Sequence, residues 1–111
     1  MLVAGVLRGK HPTAMFRALT RRCRTVVFTE PRVAGKPALP AEELRLTMGG
    51  LFDQAFAEPD ASRALDRSLR LAGRQGTVLV TGSAYLVGAL RGRWFADRAV
   101  LVQRSSYPER G

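Results

Sequence analysis

The stretch TVLVTGSAYLVGAL occupies residues 77–90 of the chain. Its first five residues are apolar or β-branched, which is typical of a buried strand. Gly82 and Ser83 then turn the chain directly into an apolar segment of helical length, where the serine can cap the first turn. A strand followed at once by a helix is the unit from which parallel α/β sheets are built.

The same alternation runs through the rest of the chain. Apolar or β-branched runs predict strands at residues 2–7, 25–29, 54–57 and 77–81. Helical patterns follow each of them, beginning near residues 12, 40, 60 and 84. We therefore predict an α/β fold, a Rossmann-like open and mostly parallel sheet of about four to five strands with helices on both faces. Residues 1–92 are expected to form this domain, and residues 93–111 a C-terminal extension with a possible edge strand at 99–102 and a frayed tail.

Length and cysteine content limit the classes of protein that fit. The chain has 111 residues, the size of one domain. No apolar run approaches the roughly 20 residues that span a bilayer, so we expect a cytoplasmic protein without a membrane partner. Cys23 is the single cysteine, which excludes an intramolecular disulfide and a multi-cysteine zinc site.

The net charge is +9, and all basic residues except Lys10 and Lys36 are arginines. A net positive charge of this size can indicate a polyanionic partner. The arginines are scattered over nearly every segment, however, without a dense run or interleaved aromatic residues, and this argues against nucleic acid. A stand-alone basic α/β module that binds RNA or another polyanion remains the alternative interpretation.

The common nucleotide-binding motifs are missing from the sequence. A phosphate-binding loop needs a Gly-x-x-x-x-Gly-Lys-Ser/Thr turn, and neither Gly-Lys pair has the required flanking residues. His11 is the only histidine and lies at a strand end before a helix, but no nucleophile and acid can be assigned to it. Ser83 lies where a helix start can hold an anion. We predict no catalytic residue and no metal site in this chain.

Three segments together resemble a known family. They are VAGVLRGKHP at residues 3–12, TEPR at 29–32 with ALPAEEL at 38–44, and TVLVTGSAYLVG at 77–88, which carries the most specific of the three patterns. In this order they resemble the C-terminal domain of the folylpolyglutamate synthase/dihydrofolate synthase family, within the Mur ligase superfamily. The matching domain of a peptidoglycan-type Mur ligase is a further alternative that the Gly-Ser-x-Tyr pattern disfavours.

The resemblance implies an ATP-dependent ligase that adds glutamate to a folate or dihydropteroate through an acyl phosphate. In the full-length family enzyme, ATP and Mg²⁺ are bound by an N-terminal ATP-binding domain, and no cofactor is expected to bind this chain alone. The C-terminal domain closes over the nucleotide and helps to hold the amino acid. The candidate substrate-binding residues lie at predicted strand ends: Lys10, His11, Arg32 and Ser83.

Overall fold

The computed structural model describes residues 1–32, 34–74, 76–81 and 86, together with the backbone of residues 99–102. Strands and helices alternate along these ranges. The strands are β1 (Leu2–Ala4), β2 (Thr25–Phe28), β3 (Gln54–Ala57), β4 (Thr77–Thr81) and β5 (Ala99–Val102). The helices are α1 (Thr13–Leu19), α2 (Ala41–Met48), which continues into a 3-10 turn at Gly49–Leu51, and α3 (Ala61–Ala72).

The five strands form one sheet in the order β3-β2-β1-β4-β5. Each neighbouring pair is parallel. Parallel neighbours require a crossover connection, and α1, α2 and α3 supply the connections along the chain from β1 to β4. The predicted open α/β fold is therefore confirmed. The edge strand at 99–102 belongs to the same sheet, beside β4, whereas the division of the chain after residue 92 stays a prediction.

One face of the sheet is covered by α1 and α2. Three aromatic rings meet there, because Phe16 of α1 packs edge-on against Phe28 of β2 and against Phe52, with ring centroids 5.5 and 6.3 Å away. Leu44 of α2 joins the same buried cluster. Edge-to-face geometry is favoured by the ring quadrupoles, so this cluster fixes α1 and α2 on the sheet beyond the gain from burial alone.

The opposite face is covered by α3. Its apolar side chains recur at helical spacing, and Leu65 and Leu69 pack against Val27 of β2 and Val78 of β4. Ser68 lies on the same buried face, where its hydroxyl donates to the Ala64 carbonyl oxygen at 2.8 Å. This bond satisfies the one polar side chain that the helix buries.

Two elements are shorter than the sequence pattern suggested. The strand predicted at residues 2–7 ends at Ala4, because the next residues leave the ladder and pair with the loop after β2. The apolar spacing of Met15, Leu19 and Cys23 predicted one helical face, but α1 ends at Leu19. Cys23 still reaches the core from the following turn, where it is buried beside the α1 residues.

Parts of the prediction lie outside the described residues. This holds for the helix predicted at 84–90, of which only Leu86 is described, as a buried helical residue on the α3 side of the sheet. It also holds for the tail after residue 102. Within the described ranges, no helix has the length and apolarity needed to cross a lipid bilayer.

Candidate functional site

The strand order contains, between β1 and β4, the kind of switch point at which open α/β sheets form a binding crevice. From β1 the chain moves outward through β2 to β3, and then returns across the sheet to β4 on the other side of β1. The order of the strands therefore reverses between β1 and β4. In open α/β sheets, ligands bind at this reversal, outside the carboxyl ends of the strands. The carboxyl ends of β1 and β4 are thus the candidate site.

Gly5 lies at the centre of this reversal, directly after β1. Its amide nitrogen is 3.4 Å from the Thr81 carbonyl oxygen at the end of β4. A β-carbon at this position would lie 2.9 Å from the Pro31 Cδ and 2.9 Å from the Thr29 carbonyl oxygen, and 3.3 Å from Leu86. Only glycine fits this approach, so the segments that follow β1, β2 and β4 meet at one residue.

The loop after β1 lies against the loop after β2. The Leu39 amide donates to the Val6 carbonyl oxygen at 2.8 Å, and the Arg8 amide donates to the Pro37 carbonyl oxygen at 2.9 Å. The two loops form a short antiparallel bridge beyond the end of the parallel sheet. Backbone hydrogen bonds therefore hold both loops as a fixed rim on one side of the crevice.

Lys10 and His11 follow this rim. The chain makes a tight turn from Leu7 to Lys10, in which the Lys10 amide is 3.4 Å from the Leu7 carbonyl oxygen. Gly9 within this turn adopts a φ of 96°. Such a φ is in the left-handed region that glycine tolerates best. Lys10 is half-buried and His11 is exposed, immediately before Pro12 at the start of α1. The turn therefore presents both side chains at the carboxyl edge of the sheet.

Arg32 lies at the same edge, on the loop after β2, and it is exposed. Its charge acts on Asp60, which precedes α3. The pKa of the Asp60 carboxyl is lowered chiefly by the hydrogen bond from the Arg63 amide, and also by the charges of Arg63 and Arg32. Among the described residues, no hydrogen bond or ion pair joins Arg32 to His11. The two residues share an edge of the sheet and are not assembled into one cluster.

Two of the helix starts at this edge are occupied by the chain's own carboxylates. Glu30 accepts a hydrogen bond from the Ala41 amide at 2.8 Å, at the start of α2. Asp60 accepts a hydrogen bond from the Arg63 amide at 2.9 Å and caps α3. A free helix start can bind an anion, but these two are satisfied internally. An anionic ligand here would therefore meet cationic side chains instead of the starts of α2 and α3.

The remaining candidates are limited by what the structure describes. Ser83 lies outside the described residues, although Thr81 two positions earlier ends β4 and is buried. Within the described ranges, no group of three or more His, Cys, Asp or Glu side chains could hold a metal ion.

Sequence reasoning missed two residues that shape this edge. Glu30 caps a helix that begins 11 positions later, so no local capping pattern indicates it. In the sequence, Gly5 only interrupts an apolar strand pattern. Its close approach to Thr29 and Pro31 depends on the packing of β1 against the loop after β2, which the sequence does not show. A glycine that interrupts a strand pattern is the only sequence signal for it.

Comparison with known proteins leaves the family open. No family model matches the chain, and no significant match was found among curated proteins or among solved structures.

Proposed function

We propose that this chain is the C-terminal, glutamate-ligase domain of an ATP-dependent folylpolyglutamate/dihydrofolate synthase of the cytoplasm. In this proposal it adds no catalytic site of its own. It supplies one wall of a site that forms when it closes against an N-terminal ATP-binding domain. The reaction joins glutamate to a folate or dihydropteroate through an acyl phosphate.

The convergence of the three family-like segments at Gly5 is the observation that carries the proposal. These segments are far apart in the sequence, yet the chain after β1, the loop after β2 and the end of β4 meet at that residue. The segments that follow neighbouring parallel strands lie at the carboxyl edge of the sheet, which is where α/β folds bind ligands. The shared location favours a common role for the three segments.

The chemistry available to this chain is binding and positioning. Lys10 and Arg32 are cations at the carboxyl edge, and a guanidinium matches the carboxylate groups of glutamate in a two-point contact. His11, exposed on the same turn as Lys10, is the further candidate for contact with substrate. Closing such a wall over the substrates would exclude water and fix their orientation.

In this proposal ATP and its metal ion bind outside this chain. The sequence has no phosphate-binding loop, and in the described part of the chain no cluster of acidic or imidazole ligands is found. The proposal therefore assigns ATP and Mg²⁺ to the N-terminal domain.

The coding sequence next to this reading frame gives the first test. Enzymes of the resembled family carry a phosphate-binding loop in the N-terminal domain and an Asp-Gly-Ala-His-Asn motif at the entrance of the C-terminal domain. We expect both to be encoded upstream of this chain, either in frame or in an adjacent gene. Unrelated sequence at both places would contradict the proposal.

Charge-removing substitutions in the assembled enzyme test the two cations. Lys10→Gln and Arg32→Gln should each raise the KM for glutamate about tenfold, the effect expected for loss of a hydrogen bond between charged groups. Arg17→Gln is the control, because Arg17 is an exposed cation in the last turn of α1. An unchanged KM and rate in both variants would remove these positions from the site.

A further inference from the structure

We propose that the opposite, amino edge of the sheet carries a binding site for a small phosphorylated anion, with Arg22 and Arg24 as its principal ligands. An open surface depression with a volume of about 340 Å³, here called the cavity, lies at this edge. It is bounded by the turn between α1 and β2 on one side and by the connection between α3 and β4 on the other. Its volume lies within the range of pockets that bind small molecules.

The lining of the cavity has the donors that a phosphate group needs. Arg22 and Arg24 contribute guanidinium groups, and Thr25 and Thr77 contribute hydroxyl groups from the first residues of β2 and β4. The cavity has no acidic lining residue among the residues that the structure describes. A guanidinium presents paired N–H donors that match two phosphate oxygens at once. The combination favours an anion with several oxygen acceptors, such as a phosphate, over a neutral ligand.

The fold itself does not account for these two arginines. Cations stabilise helix ends, and Arg17 in the last turn of α1 and Arg70 in the last turn of α3 already serve this purpose. Arg22 and Arg24 lie beyond the end of α1 and are exposed. The Arg22 amide donates to the Leu19 carbonyl oxygen at 3.0 Å, but its guanidinium forms no hydrogen bond or ion pair within the described part of the chain. Arg24 pairs only with the Asp53 carboxylate, at 3.2 Å between two exposed groups.

The exposed Arg24–Asp53 pair leaves Arg24 available to a ligand. Exposed ion pairs of this kind are weak and screened by salt. A phosphate that is bound at the same time by Arg22 would compete well with a single surface carboxylate. Asp53 therefore acts as an internal competitor, and its removal should strengthen binding.

The geometry of the site favours a small ligand over RNA. The donors line one cavity, and no aromatic side chain is among its described lining residues. Proteins that bind single-stranded nucleic acid combine a basic groove with aromatic residues on which bases stack. The cavity is on the edge of the sheet opposite the proposed ligase site, so this inference stands independently of the proposed function.

Titration of the full chain with inorganic pyrophosphate, followed by calorimetry, tests the proposal. We expect saturable binding with one site. Arg22→Gln and Arg24→Gln should each weaken it about tenfold, and Asp53→Asn should tighten it by up to about fivefold. Arg63→Gln is the matched control, because Arg63 is an exposed arginine near the start of α3 and its replacement changes the net charge equally.

Three results would overturn the inference. The first is no binding of pyrophosphate by the wild-type chain at millimolar concentration. The second is an equal loss in the Arg22→Gln and Arg63→Gln variants, which would mean attraction to the net charge alone. The third is much tighter binding of a single-stranded RNA oligonucleotide than of pyrophosphate, with a steep dependence on salt, which would identify a nucleic-acid surface. Circular dichroism and thermal unfolding of each variant establish that the exposed substitutions leave the fold intact.

Discussion

Replacing Gly5 by alanine tests the packing on which the candidate site depends. The added β-carbon would lie 2.9 Å from both the Pro31 Cδ and the Thr29 carbonyl oxygen. Both distances are shorter than carbon atoms tolerate, and the Thr29 oxygen belongs to the backbone. The Thr29 amide also donates to the Ala4 carbonyl oxygen at 2.8 Å, so the loop after β2 cannot withdraw without stretching a hydrogen bond to β1.

Overpacking of this kind costs about 1–3 kcal/mol of unfolding free energy. For a domain of this size, each kcal/mol lowers the melting temperature by roughly 4 °C. Gly5→Ala should therefore lower the melting temperature by roughly 4–12 °C. Urea denaturation followed by circular dichroism gives the free energy, and coincident transitions by fluorescence would support a two-state analysis.

Gly50→Ala provides the matched control. A β-carbon at Gly50 meets no atom within 4 Å, and the residue is not among the described glycines with positive φ. The same substitution there should leave stability unchanged or raise it by about 0.4–1 kcal/mol, through the unfolded chain. Equal stabilities of the Gly5→Ala and Gly50→Ala variants would refute the close approach of the three segments.

Three further predictions concern the core and the helix starts. Phe16→Ala removes the ring shared by two edge-to-face contacts, and it should cost about 3–5 kcal/mol in urea denaturation; a loss below 1 kcal/mol would mean that the aromatic cluster does not hold α1. Glu30→Ala leaves the first amide of α2 without its acceptor and should cost about 0.5–2 kcal/mol, whereas Glu43→Ala, an exposed first-turn residue, should cost less. The pKa of the Asp60 carboxyl is lower in the folded protein than in the unfolded chain. The ionised carboxylate therefore stabilises the fold at a pH above the unfolded pKa. This stabilisation is lost below about pH 4, as the pH falls through the folded pKa. Melting temperatures from pH 2 to 6 should therefore fall less steeply for Asp60→Asn than for the wild type, and parallel curves would contradict this assignment.

The strands of the sheet could be predicted from sequence because their residues are chemically distinctive. β-Branched and aromatic residues fill β2 and β4, and short polar or glycine-containing segments bound them. The start of α3 was predictable for the same local reason, since Asp60 is a good cap. The order of the strands in the sheet could not be predicted from sequence, because strand pairing depends on how the helices cross the sheet and not on any one segment. That order is what defines the crevice between β1 and β4.

The errors have a common physical cause. Val6 and Leu7 are as apolar as the strand before them, yet they pair with the loop at residues 37–39, which contains Pro37 and has no strand pattern. Cys23 has helical spacing from Leu19, but the chain turns after α1 and buries the thiol from outside the helix. In both cases, apolar side chains find the core without continuing the regular element. Periodicity indicates burial more reliably than it indicates where an element ends.

The candidate sites differ in how far sequence could predict them. Lys10, His11 and Arg32 follow predicted strands, and they lie at the carboxyl edge as expected for an α/β sheet. The cavity beside Arg22 and Arg24 was not foreseen, because its walls come from two turns about 50 residues apart and from the start of β4. Scattered arginines in a sequence give no sign of which of them converge.

Glutamate ligation by the assembled enzyme is the most direct test of the proposed function. Radiolabelled glutamate, ATP and either folate or dihydropteroate would be supplied to this chain together with the N-terminal ATP-binding domain that the proposal requires. We expect ATP-dependent addition of glutamate that requires residues 1–92, and no ATP hydrolysis by the isolated chain. No addition to either substrate, or an equal rate without these residues, would contradict the assignment of this chain as a ligase domain.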